Sequence, residues 1–281
     1  MTTRTLSPAN KARSRARHWT ALERVTRCGA AAHSPVSVSA EGSTNNIMTC
    51  ESVWACPMCA ERRRRMEGRD IAAAMEGWMG VGGSVLLVTL TLPHQALRDA
   101  MDLRAAWDAV SALFPSGTDR AWQKLRRDCR ISHFIVVNEV SLTRRRGWHP
   151  HLHVLLFLDT PNVHLATRLG IREWFKKHRV QPVLEPEGDR LSGPANRHSG
   201  DATVVTSPEA TSRYVTKPQA VTQNFNELYE AGARGTWQAY ELASHGRRSC
   251  RWTPHTRGIL APCSRKRRVP GRIPPRSPLT P

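Results

Sequence analysis

Two histidines one residue apart, His151 and His153, have the spacing in this chain that most directly suggests chemistry. They stand in the apolar run HPHLHVLLFL, residues 149 to 158, which is typical of a buried strand. Successive strand side chains point to opposite faces, so both imidazoles would share one face and could hold one metal ion. The alternative is a pair hydrogen-bonded at the edge of a core. We expect His149, which precedes Pro150, to be structural.

A carboxylate, Glu139, ends the preceding strand-like segment, ISHFIVVNEV. The polar stretch SLTRRRGWHP that follows favours a hairpin, which would bring Glu139 to the face of His151 and His153. Two imidazoles and a carboxylate leave coordination positions open, as a catalytic ion needs, and would suit Mn²⁺ or Mg²⁺ with a phosphate oxygen bound. The alternative for Glu139 is a solvated strand end.

A tyrosine and a lysine, Tyr214 and Lys217, are three residues apart in RYVTK. On a helix this spacing places both on one face. A phenol can attack phosphorus if a nearby cation stabilises its phenolate, and Lys217 could supply that charge. The alternative is an ordinary amphipathic surface pair. The chain has only two other tyrosines, Tyr229 and Tyr240.

Four cysteines follow the pattern C-x21-C-x5-C-x2-C, which predicts a closed, structural zinc site: Cys28, Cys50, Cys56 and Cys59. Reduced core thiols are the alternative. A run of four arginines follows directly (Arg62, Arg63, Arg64 and Arg65) and could contact phosphates, although a solvated charge run explains it at least as well.

The 42 lysines and arginines outnumber the 23 acidic residues and give a net charge of +19, which favours a polyanionic partner, above all nucleic acid. No apolar run approaches the roughly 18 residues of a membrane span, and the basic N-terminus lacks the apolar segment of a secretory signal. We therefore expect a soluble cytoplasmic protein with no membrane partner.

The elements that would position these residues follow the order β-α-β-β-α-β-α, which predicts an α+β fold with a ferredoxin/RRM-like antiparallel sheet backed by helices. The predicted segments are a helix over 61–79, a strand over 82–92, helical spacing over 95–128, strands over 131–140 and 151–159, a helix over 162–178, a strand over 202–206 and a helix over 207–217.

The chain divides by composition into five predicted regions. They are a flexible basic arm (1–24), a Cys₄ zinc module (25–62), a central domain (63–222), a C-terminal extension packed on that domain (223–261) and a disordered basic tail rich in proline and arginine (262–281).

Together, five segments resemble the rolling-circle plasmid replication initiators, the "protein rep" group of the HUH endonuclease superfamily. They are CESVWACPMCAER (50–62), VTLTLPH (88–94), GWHPHLHVLLFL (147–158), RYVTK (213–217) and GRRSCRWT (246–253). The resemblance implies the HUH fold for residues 63–222 and covers roughly residues 26 to 260.

The resemblance also implies a mechanism. A divalent ion held by His151, His153 and Glu139 would polarise the scissile phosphate of plasmid origin DNA, which is single-stranded at the nick. Tyr214 would attack, giving a 5′-phosphotyrosyl link and a free 3′-OH, while Lys217 stabilises the developing charge. Host helicase, polymerase and single-strand-binding protein would be the implied partners.

Some details depart from the family pattern. Some members of the family carry a glutamate about one helical turn before the tyrosine, and this glutamate activates water for termination. Here Glu209 lies five residues before Tyr214 and is better explained as a capping box with Thr206. Pro218 disfavours helix geometry at Lys217. The turn arginines Arg144, Arg145 and Arg146 could bind DNA or only solvent.

Two other functions remain open at this point. An HUH transposase or relaxase would share the chemistry and act at transposon ends or a transfer origin. A zinc-containing DNA-binding protein without catalysis would explain the charge and the cysteines, but would leave the histidine pair with Glu139 and the Tyr-x-x-Lys motif unexplained.

Overall fold

The computed structural model describes residues 7–30, 37–38, 44–45, 47–91, 100–143, 147–180 and 202–253. Within these ranges the helices are α1 (Pro8–Trp19), α2 (Glu23–Thr26), α3 (Pro57–Gly80), α4 (Ala100–Ala112), α5 (Arg120–Asp128), α6 (Leu165–Phe175), which continues as a π-helical turn (Lys176–Val180), α7 (Pro208–Thr216), α8 (Ala220–Glu230) and α9 (Arg234–Ser244). The strands are β1 (Ser37–Val38), β2 (Thr44–Asn45), β3 (Ser84–Thr91), β4 (Ile131–Thr143), β5 (Gly147–Leu158), β6 (Ala202–Val204) and β7 (Cys250–Trp252).

Five of the strands form one antiparallel sheet in the order β6-β3-β5-β4-β7, so the predicted α+β class is confirmed. The central strand β5 carries the histidine pair. His153 lies opposite Thr89 of β3, and Glu139 of β4 lies opposite His151. The hairpin predicted between β4 and β5 is present, but its strands extend into the stretch that the sequence assigned to the turn.

Helices cover both faces of this sheet, which is why β3 and β5 are apolar on both sides. One face packs against α4, α5, α6, α8 and α9 through a core that contains Trp107, Trp122, Phe175, Phe225 and Trp237. The other face packs against α3 and α7 around Leu155 and Phe157. Because side chains alternate along β5, His151 and His153 share the face of Leu155, under α3 and α7.

The N-terminal helix α1 contradicts the predicted flexible arm (1–24) over residues 8–19. Ala9, Ala12 and Ala16 of α1 are buried, and the helix packs against α3 and α8. Alanines at helical spacing permit close packing but contribute little hydrophobicity among the surrounding arginines, so the apolar period is weak. The residues before position 7 lie outside the described ranges.

The predicted region boundaries at 62/63 and 222/223 both fall inside helices, α3 and α8. The described part of the C-terminal region packs on the sheet: β7 extends it by pairing with β4. The single helical stretch predicted over 95–128 contains two helices, α4 and α5. The predicted tail (262–281) lies outside the described residues.

Candidate metal and nucleophile site

The sheet brings Glu139, His151 and His153 into one buried cluster. The Oε2 atom of Glu139 lies 2.9 Å from Nε2 of each histidine. Only 1% of the surface of Glu139 is exposed, and His153 is fully buried. This convergence follows from the register, because Glu139 faces His151 directly and reaches His153 diagonally across the strand pair.

The outward nitrogen of each imidazole has its own partner. Nδ1 of His151 lies 3.2 Å from the carbonyl oxygen of His149, and Nδ1 of His153 lies 3.1 Å from the hydroxyl of Thr89. A carbonyl only accepts, so Nδ1 of His151 donates to it, and in a neutral ring Nε2 would then present its lone pair to the carboxylate of Glu139. An acceptor nitrogen and a carboxylate oxygen 2.9 Å apart repel each other, unless a proton or a cation lies between them.

The donor set fits a divalent ion. Ligands about 2.1 Å from an octahedral ion lie about 3 Å from their neighbours, and the two nitrogen-to-oxygen distances here are both 2.9 Å. The contacts at Nδ1 are the outer-shell contacts that usually orient metal-bound imidazoles. Glu139, His151 and His153 would hold the ion, and when bound it would act as a Lewis acid on a phosphate oxygen.

The charges of the cluster favour an ionised Glu139. Burial acts to raise the pKa of Glu139, but its contacts with His151, His153 and Lys217 outweigh that effect and hold the pKa well below its usual range. Burial lowers the pKa of His153, against the opposing effect of Glu139. An anionic carboxylate beside a neutral imidazole is the ligand state that a metal requires.

Lys217 completes the cluster from α7. Its Nζ atom lies 2.5 Å from Oε1 of Glu139, the oxygen that the histidines leave free. The lysine adopts a left-handed backbone conformation, with φ of 36°, and ends the helix. Pro218 disfavours a further helical residue before it, so α7 ends here. The left-handed turn at Lys217 then directs its side chain to the sheet.

Tyr214 lies on the same helix and packs on the cluster. Its ring centre is 5.1 Å from that of His153 and 5.2 Å from Nζ of Lys217. Half of its surface is exposed, whereas Tyr240 is fully buried. Of the three tyrosines, Tyr214 is therefore the one whose ring is both exposed to solvent and packed against the histidine and carboxylate cluster.

Two further predictions concern Glu209 and His149. The capping box with Thr206 is wrong: the N-cap of α7 is Ser207, whose hydroxyl accepts from the Ala210 amide, and Glu209 is an exposed side chain 3.7 Å from Arg213. His149 also lies on the face of the pair, as its spacing requires, and its Nε2 is 3.0 Å from the hydroxyl of Thr91.

The predicted DNA-contact arginines fall into two groups. Arg62 and Arg63 are exposed on α3, and Arg63 pairs with Glu67 at 3.1 Å. Arg144, Arg145 and Arg146 lie outside the described residues.

The four predicted zinc ligands form a second buried cluster. The sulfur of Cys28 lies 3.6 Å from those of Cys56 and Cys59, and the four ligand atoms, with Cys50, all lie within 4.8 Å of one another. Ligands about 2.3 Å from a tetrahedral zinc are about 3.8 Å apart. None of the four forms a disulfide, and Cys56 is the N-cap of α3, where the helix dipole favours thiolates. This set fits zinc.

The sequence patterns did not predict the roles of two residues of the site, Thr89 and Arg64. Thr89, which holds His153, stands in the alternating run VTLTL and had a weak signal, since strand alternation places it on the metal face. Arg64 was predicted only as part of the phosphate-contact run, and this is wrong because it is buried and donates to the carbonyl of Thr216 at the end of α7. No sequence pattern indicates that role, because the partner is a backbone atom 152 residues away.

The chain is thus an α+β protein with two candidate metal sites. Two of the three sequence relatives described next are named as Rep proteins. It is 31% identical to "Protein rep" of Streptomyces lividans over 40% of this chain and 30% of that protein. It is 23% identical to "Protein rep" of Lentilactobacillus hilgardii over 61% of this chain and 54% of that protein. It is 29% identical to "Neomycin resistance protein" of Streptomyces cyanogenus over 40% of this chain and 31% of that protein.

These similarities confirm the expected resemblance, and the chain is plasmid Rep-like in sequence. The matched region spans under a third of the first and third of these relatives and about half of the second. No family model and no solved structure matches the chain. In the part of the chain that the structure describes, none of the helices is both long and apolar enough to cross a bilayer.

Proposed function

We propose that this protein initiates rolling-circle replication of a plasmid by nicking and rejoining one strand of its origin, through a 5′-phosphotyrosyl intermediate at Tyr214. The similarity to Rep proteins supports the biological role. The strand order β6-β3-β5-β4 supports a ferredoxin-like fold, the class expected of an HUH domain, since the two inner strands are the first and third of these four along the chain.

The observation that carries this proposal is the placement of Tyr214 and Lys217 over the Glu139, His151 and His153 cluster. An accessible nucleophile and a cation in contact with a buried metal-binding set are the components that phosphodiester transfer requires. A zinc-containing binding protein would have no use for this arrangement.

The proposed reaction is a transesterification. The Oη atom of Tyr214 bonds to the scissile phosphorus as its proton leaves to solvent, the bond from phosphorus to the 3′ oxygen breaks, and that oxygen gains a proton. Lys217 stabilises the phenolate and the charge that develops on phosphorus. The phosphodiester energy is conserved in the tyrosine link, so the reverse attack by a 3′-OH rejoins a strand.

Supercoiled DNA that contains the region flanking the coding sequence, incubated with Mn²⁺ or Mg²⁺, tests the proposal. The wild-type protein is expected to nick it at one position and to remain covalently attached to the 5′ end. Tyr214→Phe should abolish both products, and Tyr229→Phe, on α8, should retain them. Nicking with adduct formation by Tyr214→Phe would overturn the proposed nucleophile, and a nick within transposon ends or a transfer origin would support the transposase or relaxase alternative.

A further inference from the structure

The long helix α3 connects the cysteine cluster to the end of the tyrosine helix. Cys56 is its N-cap and Cys59 lies in its first turn, so a metal held by the cysteines would anchor its N-terminus. Three turns further on, α3 passes close to α7. A methyl group at Gly68 would lie 3.1 Å from the hydroxyl of Thr216, so the approach leaves room for hydrogen but little for a side chain.

One turn before Gly68, a buried arginine contacts the last residue of α7. Arg64 is 1% exposed, and its Nη1 donates to the carbonyl oxygen of Thr216 at 2.9 Å. Its guanidinium carbon lies 4.6 Å from the ring centre of Trp54. Trp54 is fixed in turn, because its indole N–H donates to the Arg247 carbonyl. The guanidinium is therefore held in one place.

The carbonyl that Arg64 binds belongs to the peptide that leads into Lys217. It is among the carbonyls at the end of α7 that no intrahelical amide can satisfy, and a cation there also complements the helix dipole. Fixing this peptide fixes the residue at which the chain turns out of the helix. This peptide in turn sets where the Lys217 ammonium lies against Glu139 and where Tyr214 lies, one turn earlier.

Folding stability alone does not account for Arg64. Its Nε atom is buried without a hydrogen-bond partner among the described residues. Burying a cation with incomplete hydrogen bonding is costly, and replacing it with an apolar side chain of similar size is often neutral or stabilising. An arginine at this position is better explained by what it holds.

We propose that Arg64 is a positioning residue for strand transfer, which holds the C-terminal peptide of α7 so that Lys217 and Tyr214 meet the Glu139, His151 and His153 cluster. This inference rests on the proposed function. Arg64 acts through the carbonyl of Thr216. The helix that carries it, α3, runs from the cysteine cluster to the end of α7.

The experiment compares Arg64→Met and Arg64→Lys with the wild type and with Arg104→Met, an exposed arginine of α4 on the opposite face of the sheet. Arg64→Met is expected to keep the wild-type melting temperature and its affinity for a single-stranded oligonucleotide. Its single-turnover nicking rate should fall about 10- to 100-fold, the scale of loss for a small misplacement of reacting groups. Arg64→Lys should recover part of the rate, and Arg104→Met should match the wild type.

Hydrogen exchange of the full-length protein gives a readout that needs no DNA cleavage. Arg64→Met should exchange faster at the amides of residues 213–220, including the Lys217 amide that donates to Arg213, with the sheet unchanged. Wild-type nicking and exchange in Arg64→Met would overturn the inference, as would a rate that falls only in proportion to a loss of folded protein. Failure of the wild type to nick would instead overturn the proposed function, and the exchange measurement would still decide whether Arg64 holds α7.

Discussion

The ammonium of Lys217 lies 2.5 Å from the carboxylate of Glu139, a residue 78 positions earlier in the chain. The contact links the end of the tyrosine helix to the metal-ligand set on the sheet. It also places a fixed positive charge beside the proposed ion, so Lys217 both assists the reaction and competes with the metal for Glu139.

Replacing Lys217 should therefore separate metal binding from catalysis. Lys217→Met is expected to bind Mn²⁺ several-fold more tightly, because a repelling charge is removed, while single-turnover nicking falls about 100-fold. Titration calorimetry with Mn²⁺ and rapid-quench nicking measure the two effects. Lys124→Met, an exposed lysine on α5, is the control. Weaker Mn²⁺ binding in Lys217→Met would contradict the competition.

The outer contact of His153 should tune the affinity of the metal site. Thr89→Val removes the hydroxyl beside Nδ1 with almost no change in shape, and outer-shell losses of this kind weaken metal binding about 10- to 100-fold. His153→Ala should abolish Mn²⁺ binding, and exposed His245→Ala should leave it intact. Mn²⁺ titration monitored by paramagnetic resonance measures all three. Wild-type affinity in His153→Ala would exclude the site.

The cysteine cluster should hold one tightly bound metal ion. Elemental analysis is expected to find about one zinc per chain in the wild type and a small fraction of that in Cys59→Ser, together with a lower melting temperature, since structural zinc contributes directly to folding. Cys129→Ser, whose sulfur is not part of the cluster, should retain the zinc. Full zinc content in Cys59→Ser would contradict a Cys₄ site.

The close approach of α3 to α7 should be sensitive to a single methyl group. Gly68→Ala gains helix propensity but places its Cβ 3.1 Å from the Thr216 hydroxyl. Overpacking should outweigh the propensity gain and lower the free energy of unfolding by about 1 kcal/mol. Gly80→Ala, where nothing lies within 4 Å, should instead raise it by about 0.5 kcal/mol. Urea denaturation tests both, and equal stabilisation by the two would contradict the packing.

Much of this site could be predicted from local patterns. Strand alternation places His151 and His153 on one face, and the β4–β5 hairpin brings Glu139 opposite His151 and diagonally across from His153. Helical spacing relates Tyr214 to Lys217. Each of these inferences uses residues close in sequence, or a geometry that is regular enough to extrapolate.

The rest required tertiary contacts. The helix α1 is recognised only by alanines that pack against α3, and alanine carries too weak a hydrophobic signal among charged residues. The aim of Lys217 depends on a left-handed turn before Pro218, which the restriction on that residue alone does not specify. The role of Arg64 depends on a backbone carbonyl, and no side-chain pattern reveals a partner of that kind.

The most direct test of the central claim is to map the attachment site of the DNA. After reaction with supercoiled flanking-region DNA and Mn²⁺, the covalent adduct is digested with nuclease and protease, and the nucleotide-bearing peptide is sequenced by mass spectrometry. We predict a single phosphodiester-linked nucleotide on Tyr214. A nucleotide on Tyr229, on Tyr240 or on a serine would contradict the account, as would nicking with no covalent adduct at all.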